Sequence, residues 1–219
     1  MTPGVLITFE GTEGSGKSTQ IALLGERLRG IGRTVRVLRE PGGTPIGEEI
    51  RHTLKHSHAN QAMTAETELL LMNASRAQLV REVIRPALQA GEIVLCDRFY
   101  DSTTVYQGYG RQLDLNMVEA VIEVAVGETR PDLTLLLMVS QELSEQRRLT
   151  RQATMPFIRD RMEEADASFF ARVALGYRAL ATAEPDRVRV IQAEGSVAQV
   201  EAGIWERVRP IISATRRGI

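Results

Sequence analysis

The segment Gly11-Thr12-Glu13-Gly14-Ser15-Gly16-Lys17-Ser18 fills every fixed position of the pattern G-x-x-x-x-G-K-[ST]. Its residue types suit one task. A loop that wraps its backbone N–H groups around a phosphate needs glycines, because the chain must take φ angles that side chains resist and must approach the anion closely. A helix opening at once, through Ser18 and Thr19, presents free N–H groups and the positive end of its dipole to the same anion. Lys17 can reach the β- and γ-phosphates, and the Ser18 hydroxyl can ligate Mg²⁺. Lys17 is conspicuous for another reason: of 27 lysines and arginines only Lys17 and Lys55 are lysines. The pattern predicts a nucleoside triphosphate site.

Asp97 supplies the complement. It ends the apolar run Glu92–Asp97, which puts a carboxylate at the carboxyl edge of a sheet, where ligands bind in open α/β folds. There it can hold Mg²⁺ or its waters, with capping of the next helix as the competing role. Arg98, the next residue, can clamp a second phosphate in bidentate fashion, which a lysine does less well. Polar and aromatic residues suited to a base and a sugar follow from Asp101 to Arg111. Upstream, Arg39–Thr44 follows a second strand, Glu48–Arg51 lies on a short helix, and Ala74–Gln78 lies on a long one.

These residues need a frame, and the apolar pattern supplies one. Val5–Glu10, Thr34–Arg39, Glu92–Asp97, Asp132–Val139 and Arg187–Ala193 read as strands, several nearly continuous in Val, Ile and Leu. Ser18–Leu28, Glu66–Gln89, Asn116–Val126 and Glu163–Ala183 carry helical spacing, and Ser196 with Gln199 reads as a capping box opening a last helix. Such alternation implies right-handed crossovers and a three-layer α/β fold. Arg148–Arg161 is polar, Arg-rich and interrupted by Pro156, and reads as a mobile excursion. With 219 residues, 43% hydrophobic and 25% charged, the chain has the make-up of one globular domain.

A net charge of −1 gives no basic field to draw nucleic acid or a membrane surface. No apolar run is long enough to span a bilayer, and the first residues lack the basic region of a signal peptide. The one cysteine, Cys96, excludes an internal disulfide, fits the cytoplasm, and lies inside a strand as a small buried apolar residue. His52 and His56 have the spacing of a metal pair, but no Cys or paired acid completes a set nearby, so they read as a solvated helix end.

The segments FEGTEGSGKST, REPGGTPIGEEIR, ASRAQL, DRF followed by STTVYQGYGR, and PDLTLLL together resemble bacterial thymidylate kinases, a family of P-loop nucleoside monophosphate kinases. The resemblance spans essentially residues 1–219 as a single domain. It implies a P-loop fold on a five-stranded parallel sheet, a homodimer, and the reaction ATP + dTMP → ADP + dTDP with Mg²⁺ held near Ser18 and Asp97. It implies that Arg98 holds the acceptor phosphate and that Arg76 bonds the thymine carbonyl. Thr103 and Gln107 then contact the base, and Tyr106 crowds the 2′ position of the sugar. Glu13 lies near the 3′-hydroxyl, Glu40 and Arg51 lie near the acceptor nucleotide, and Arg147 stacks on adenine.

The loop Thr12–Ser15 carries no basic residue, so the resemblance places the catalytic arginine in a lid at about 148–162, with Arg161 the best match and Arg159 beside it. One position departs from the family: Met72 stands where many members carry a Phe that stacks on thymine. Two other readings compete, a deoxynucleoside kinase acting on a sugar hydroxyl and a non-catalytic nucleotide switch. The guanine-reading N-K-x-D and the D-x-x-G switch motif are both absent, which disfavours the second.

Overall fold

The computed structural model describes residues 4–57, 60, 62–154 and 166–214. β1 (Val5–Glu10) is buried along its whole length, as a strand covered on both faces must be. It forms the centre of a parallel five-stranded sheet of order β2-β3-β1-β4-β5, with β2 (Val35–Arg39), β3 (Ile93–Asp97), β4 (Leu133–Met138) and β5 (Val188–Gln192). The outer strands β2 and β5 are partly exposed. Each strand falls within a run expected from the sequence and differs from it by at most one residue at either end.

The period of two along the strands sorts their side chains between two layers. Val5, Ile7 and Phe9 face α1 (Lys17–Gly30) and α9 (Val197–Ala214), in one apolar cluster with Leu95, Leu135 and Ile204. Leu6, Val94 and Cys96 face the other way, against α3 (Ala65–Leu79), α4 (Arg85–Gln89) and α6 (Leu115–Val126). A third cluster joins Leu136 to Val173 and Tyr177 of α8 (Ala167–Ala183). Thr8 and Glu10 are buried on the α3 and α8 side, polar residues in an otherwise apolar strand. The chain runs outward to β2 and β3 and then crosses β1 to reach β4. The crevice at the carboxyl end of β1 is therefore the switch point at which such sheets bind ligands.

The helix expected over Glu66–Gln89 is one run with a wide π-type stretch at Val80–Ile84 between α3 and α4. Pro86, which lacks an N–H and crowds the carbonyl four residues back, accounts for the widening. α2 (Pro45–Lys55) is capped by Thr44, whose hydroxyl accepts from Gly47 N at 3.0 Å. α9 opens on the expected box: Ser196 N donates to Gln199 Oε1 at 2.8 Å, and Gln199 N donates to Ser196 Oγ at 3.3 Å.

One stretch to which the sequence reading assigned no element is helical, and one differs from that reading. α5 (Tyr100–Thr103) and the π-helical stretch Thr104–Gly110 form a helical wall that the β-branched and glycine-rich sequence does not announce. Packing holds it there. A Cβ on Gly108 would meet Leu115 at 2.6 Å, and one on Gly110 would meet the Phe169 ring at 2.6 Å. The excursion expected from Arg148 begins instead as helix, because α7 (Gln141–Thr154) continues through those residues. Among the described residues no helix is long and apolar enough to cross a membrane.

Candidate functional site

The loop between β1 and α1 takes the form its glycines predict. Gly11, Gly14 and Gly16 have φ of 135°, 73° and 93°. At Gly11 a Cβ would lie 2.3 Å from the Leu137 carbonyl, so glycine is required by space as well as by φ. Lys17 folds back over the loop, where Nζ donates to the Gly11 and Thr12 carbonyls, both at 3.0 Å. Burial, with Arg98 adding to it, lowers the Lys17 ammonium to a pKa of about 7, against the pull of Asp97, Glu10 and Glu13.

Ser18 and Thr19 stand exposed on the first turn of α1. The Ser18 hydroxyl donates to Asp97 Oδ2 at 3.1 Å, so the strand-end carboxylate and the first helical hydroxyl meet. One hydroxyl and one carboxylate are hard oxygen donors suited to a Mg²⁺ ion that takes its other ligands from phosphates and water. Among the described residues no group of three His, Cys, Asp or Glu could hold a metal by itself.

Beside Asp97, Arg98 has a φ of 68°, a conformation uncommon outside glycine. Its N–H continues the β1–β3 pairing to the Phe9 carbonyl at 2.9 Å. The guanidinium donates from Nη1 to Ser102 Oγ at 3.0 Å and Tyr177 Oη at 3.3 Å, and from Nη2 to Tyr106 Oη at 3.3 Å. These acceptors are neutral hydroxyls, so among the described residues no carboxylate pairs directly with Arg98.

The nearby acid, Glu10, is occupied elsewhere. It accepts from Phe99 N (2.8 Å), Ser102 N (3.2 Å), Ser102 Oγ (2.6 Å) and Tyr177 Oη (3.0 Å). Burial, and then Asp101, pushes its carboxyl pKa up, while Arg98 and these hydrogen bonds hold it down. Glu10 thus fixes the start of α5 and two of the three hydroxyls on which Arg98 rests, those of Ser102 and Tyr177. It ends β1 one residue before the glycine loop. A carboxylate closing a buried strand was the sequence signal for it. Tyr177 had none, since an amphipathic helix makes it look like core.

Two stripes face each other across the next part of the crevice. Glu68, Met72 and Arg76 recur at four-residue spacing on α3. Thr103, Gln107 and Arg111 do so on the opposing wall. Arg76 Nη1 donates to Thr103 Oγ1 at 3.0 Å at one end. At the other, Gln107 Nε2 donates to Glu68 Oε1 at 2.8 Å, and Arg111 grips the same carboxylate at 3.2 and 3.0 Å. Met72 lies between these cross-links in sequence; it is buried, yet it joins none of the three apolar clusters.

Arg76 also donates to Glu40 Oε2 (2.8 Å), Asn73 Oδ1 (2.7 Å) and the Phe99 carbonyl (3.2 Å). Those bonds engage four of the five N–H groups that a guanidinium carries. Glu40 is held by burial at a pKa of about 7 despite Arg76, and its Oε1 has no partner among the described residues. Arg51, on α2, donates to the Pro41 carbonyl at 2.9 Å.

On the far side of the loop, Ser144 donates to the Glu13 carbonyl at 2.6 Å. Arg147 donates to the carbonyls of Gly14 (3.3 Å) and Ala193 (3.1 Å), between the glycine loop and the end of β5. Glu13 is within electrostatic reach of both Lys17 and Tyr106. Arg159 and Arg161 lie outside the described residues. Cys96 is fully buried, which raises its thiol pKa well above the usual value and leaves it inert.

The sequence profile of the family described as thymidylate kinase matches residues 9–204. A thymidylate kinase of Chlorobium luteolum is 46% identical over 203 residues, covering 90% of this chain and 94% of the relative. One of Deinococcus radiodurans is 46% identical over 210 residues, covering 95% and 98%. The crystal structure of thymidylate kinase from Ehrlichia chaffeensis superposes with a TM-score of 0.76 at 32% identity, covering 94% of this chain and 99% of that one.

Proposed function

The chain belongs to the thymidylate kinase family, and we propose that the crevice at the carboxyl end of β1 is where it carries out that family's reaction. It transfers the γ-phosphoryl group of ATP to dTMP, giving dTDP and ADP. The observation that carries the site assignment is the pair of neighbouring cations, buried Lys17 and half-buried Arg98. They lie close enough to depress the Lys17 pKa, and among the described residues neither is ion-paired to a carboxylate. Two such cations suit a donor and an acceptor phosphate brought together, where repulsion between anions is the main obstacle.

In this reading the residues 11–19 cradle the triphosphate through their N–H groups, and Lys17 exchanges its loop carbonyls for phosphate oxygens. Arg98 grips the dTMP phosphate. Arg76, Thr103 and Gln107 meet the base, Tyr106 crowds the 2′ position under Arg98, and Glu13 stands near the 3′-hydroxyl. Glu40 and Arg51 support the acceptor side, and Arg147 stacks on adenine. Ser18 and Asp97 would hold Mg²⁺, which when bound offsets phosphate charge. Arg161, with Arg159 beside it in a lid at about 148–162, is assigned the charge of the moving phosphoryl group by resemblance alone.

We also infer a homodimer and a cytoplasmic setting for one domain over residues 1–219. α3 and α6 pack together and carry the exposed side chains of Leu70, Met117 and Val124, which suits a partner copy. An ADP-release assay with ATP tests the reading. Turnover is expected with dTMP. Turnover with thymidine alone, or without any acceptor, would overturn it.

Met72 tests the base pocket separately. Stacking a base on an aromatic ring is worth ~1–3 kcal/mol, whereas a methionine sulfur on a ring recovers ~0.3–1.5 kcal/mol. Met72→Phe is therefore expected to lower KM for dTMP by less than about tenfold and to leave KM for ATP unchanged. A lowered melting temperature with unaltered dTMP binding would show that Met72 serves packing instead.

A further inference from the structure

We propose that Glu68 sets the base selectivity of the pocket, by holding the Gln107 amide with its oxygen toward the base. The inference rests on the reading above in which Gln107 meets the base. A carboxylate accepts hydrogen bonds and donates none, so the amide that lies 2.8 Å from Glu68 Oε1 must present its NH₂ group. Arg111 closes on the same carboxylate with Nε and Nη2, which pairs the charge and holds Glu68 in place although only 2% of it is exposed. Gln107 is equally buried, so its amide has little freedom to turn.

With its NH₂ group given to Glu68, the Gln107 amide has its own oxygen left to meet a ligand, and that oxygen takes no hydrogen bond from a described residue. An acceptor there suits a pyrimidine with an N–H at position 3, as in thymine or uracil. Cytosine offers a lone pair at that position, so two acceptors would face each other out of water. Arg76 adds a donor at the opposite end of the stripe, which suits a carbonyl at position 4 and repels the amino group of cytosine. Glu68 is thus a positioning residue: it acts through Gln107 and touches no reacting atom.

The test compares kcat/KM for dTMP and dCMP, at saturating ATP, in the wild type, Glu68→Gln and Gln107→Ala. A glutamine at position 68 can donate as well as accept, which frees the Gln107 amide to turn. The dTMP-to-dCMP ratio is expected to fall about tenfold in Glu68→Gln, the effect of removing one unmatched buried polar contact, with KM for ATP unchanged. A purely structural role would depress both substrates together and leave the ratio alone.

An unchanged ratio in Glu68→Gln, while Gln107→Ala still raises KM for dTMP, would overturn the proposal and keep the base contact. If Gln107→Ala leaves dTMP unaffected, the base contact itself fails and the proposal falls with it. Should Glu68→Gln not fold, the paired variant Glu68→Leu with Arg111→Leu removes both charges together and is read by the same ratio.

Discussion

Lys17→Met is expected to lower kcat by about 10²–10³-fold, the range seen when one preorganised donor to a developing anion is removed. Methionine keeps the length and the apolar stem, so the buried path of the side chain stays filled. What is lost is the ammonium that bridges the Gly11 and Thr12 carbonyls and that a triphosphate would recruit. Those carbonyls lose a donor, which costs about 1 kcal/mol of stability.

The pH dependence gives the check an independent axis. The folded-state pKa of Lys17, about 7, lies below its usual 10.5. Between those values the unfolded chain binds more protons at this position, so stability attributable to Lys17 rises with pH across that window. The melting temperature of the wild type relative to Lys17→Met, without nucleotide, should therefore improve from pH 7 to pH 10. A variant with kcat within about fivefold of the wild type would remove Lys17 from the chemistry.

The legible parts of this protein are those in which local physics fixes residue type. Gly11 and Gly14 are required by φ and by the close approach of backbone, and the strand β1 announces itself by burial on both faces. Asp97 and Arg98 were placed by the end of a strand, and the meeting of Ser18 with Asp97 follows from two parallel neighbours in one sheet. The acceptor wall was legible only as a set of suitable side chains. Its helical form depends on Gly108 against Leu115 and Gly110 against Phe169, contacts between segments far apart in sequence.

Polar partners across elements were likewise hidden. Asp101, fully buried, is held by Arg187 at 2.7 and 2.8 Å and by the Thr134 hydroxyl at 2.9 Å. Three elements must assemble before that carboxylate has partners. Glu68 and Arg111 belong to the same class, since a single acid on an amphipathic helix reads as solvated until the opposing wall is known.

Arg98→Ala is expected to reduce kcat/KM for dTMP by about 10²–10³-fold, as the loss of two charge-assisted hydrogen bonds to one phosphate requires, and to change KM for ATP by less than about threefold. The backbone does not confound this result. Alanine at a φ of 68° is as strained as arginine, so the strain is common to both proteins. Two of the three supporting hydroxyls keep bonds of their own, because Ser102 Oγ and Tyr177 Oη still donate to Glu10, whereas Tyr106 Oη loses its Arg98 donor.

What changes around them is the field: Arg98 is a counter-charge to buried Glu10, so its removal should move the Glu10 carboxyl further up. Some loss of melting temperature is therefore expected and does not count against the assignment. The discriminating variant is Arg98→Lys, which restores the charge near Glu10 but not the planar fork. It should recover stability while dTMP remains impaired by about tenfold or more. If Arg98→Lys recovers dTMP turnover in full, or if both variants impair ATP and dTMP equally, the guanidinium serves the fold and the acceptor phosphate is held elsewhere.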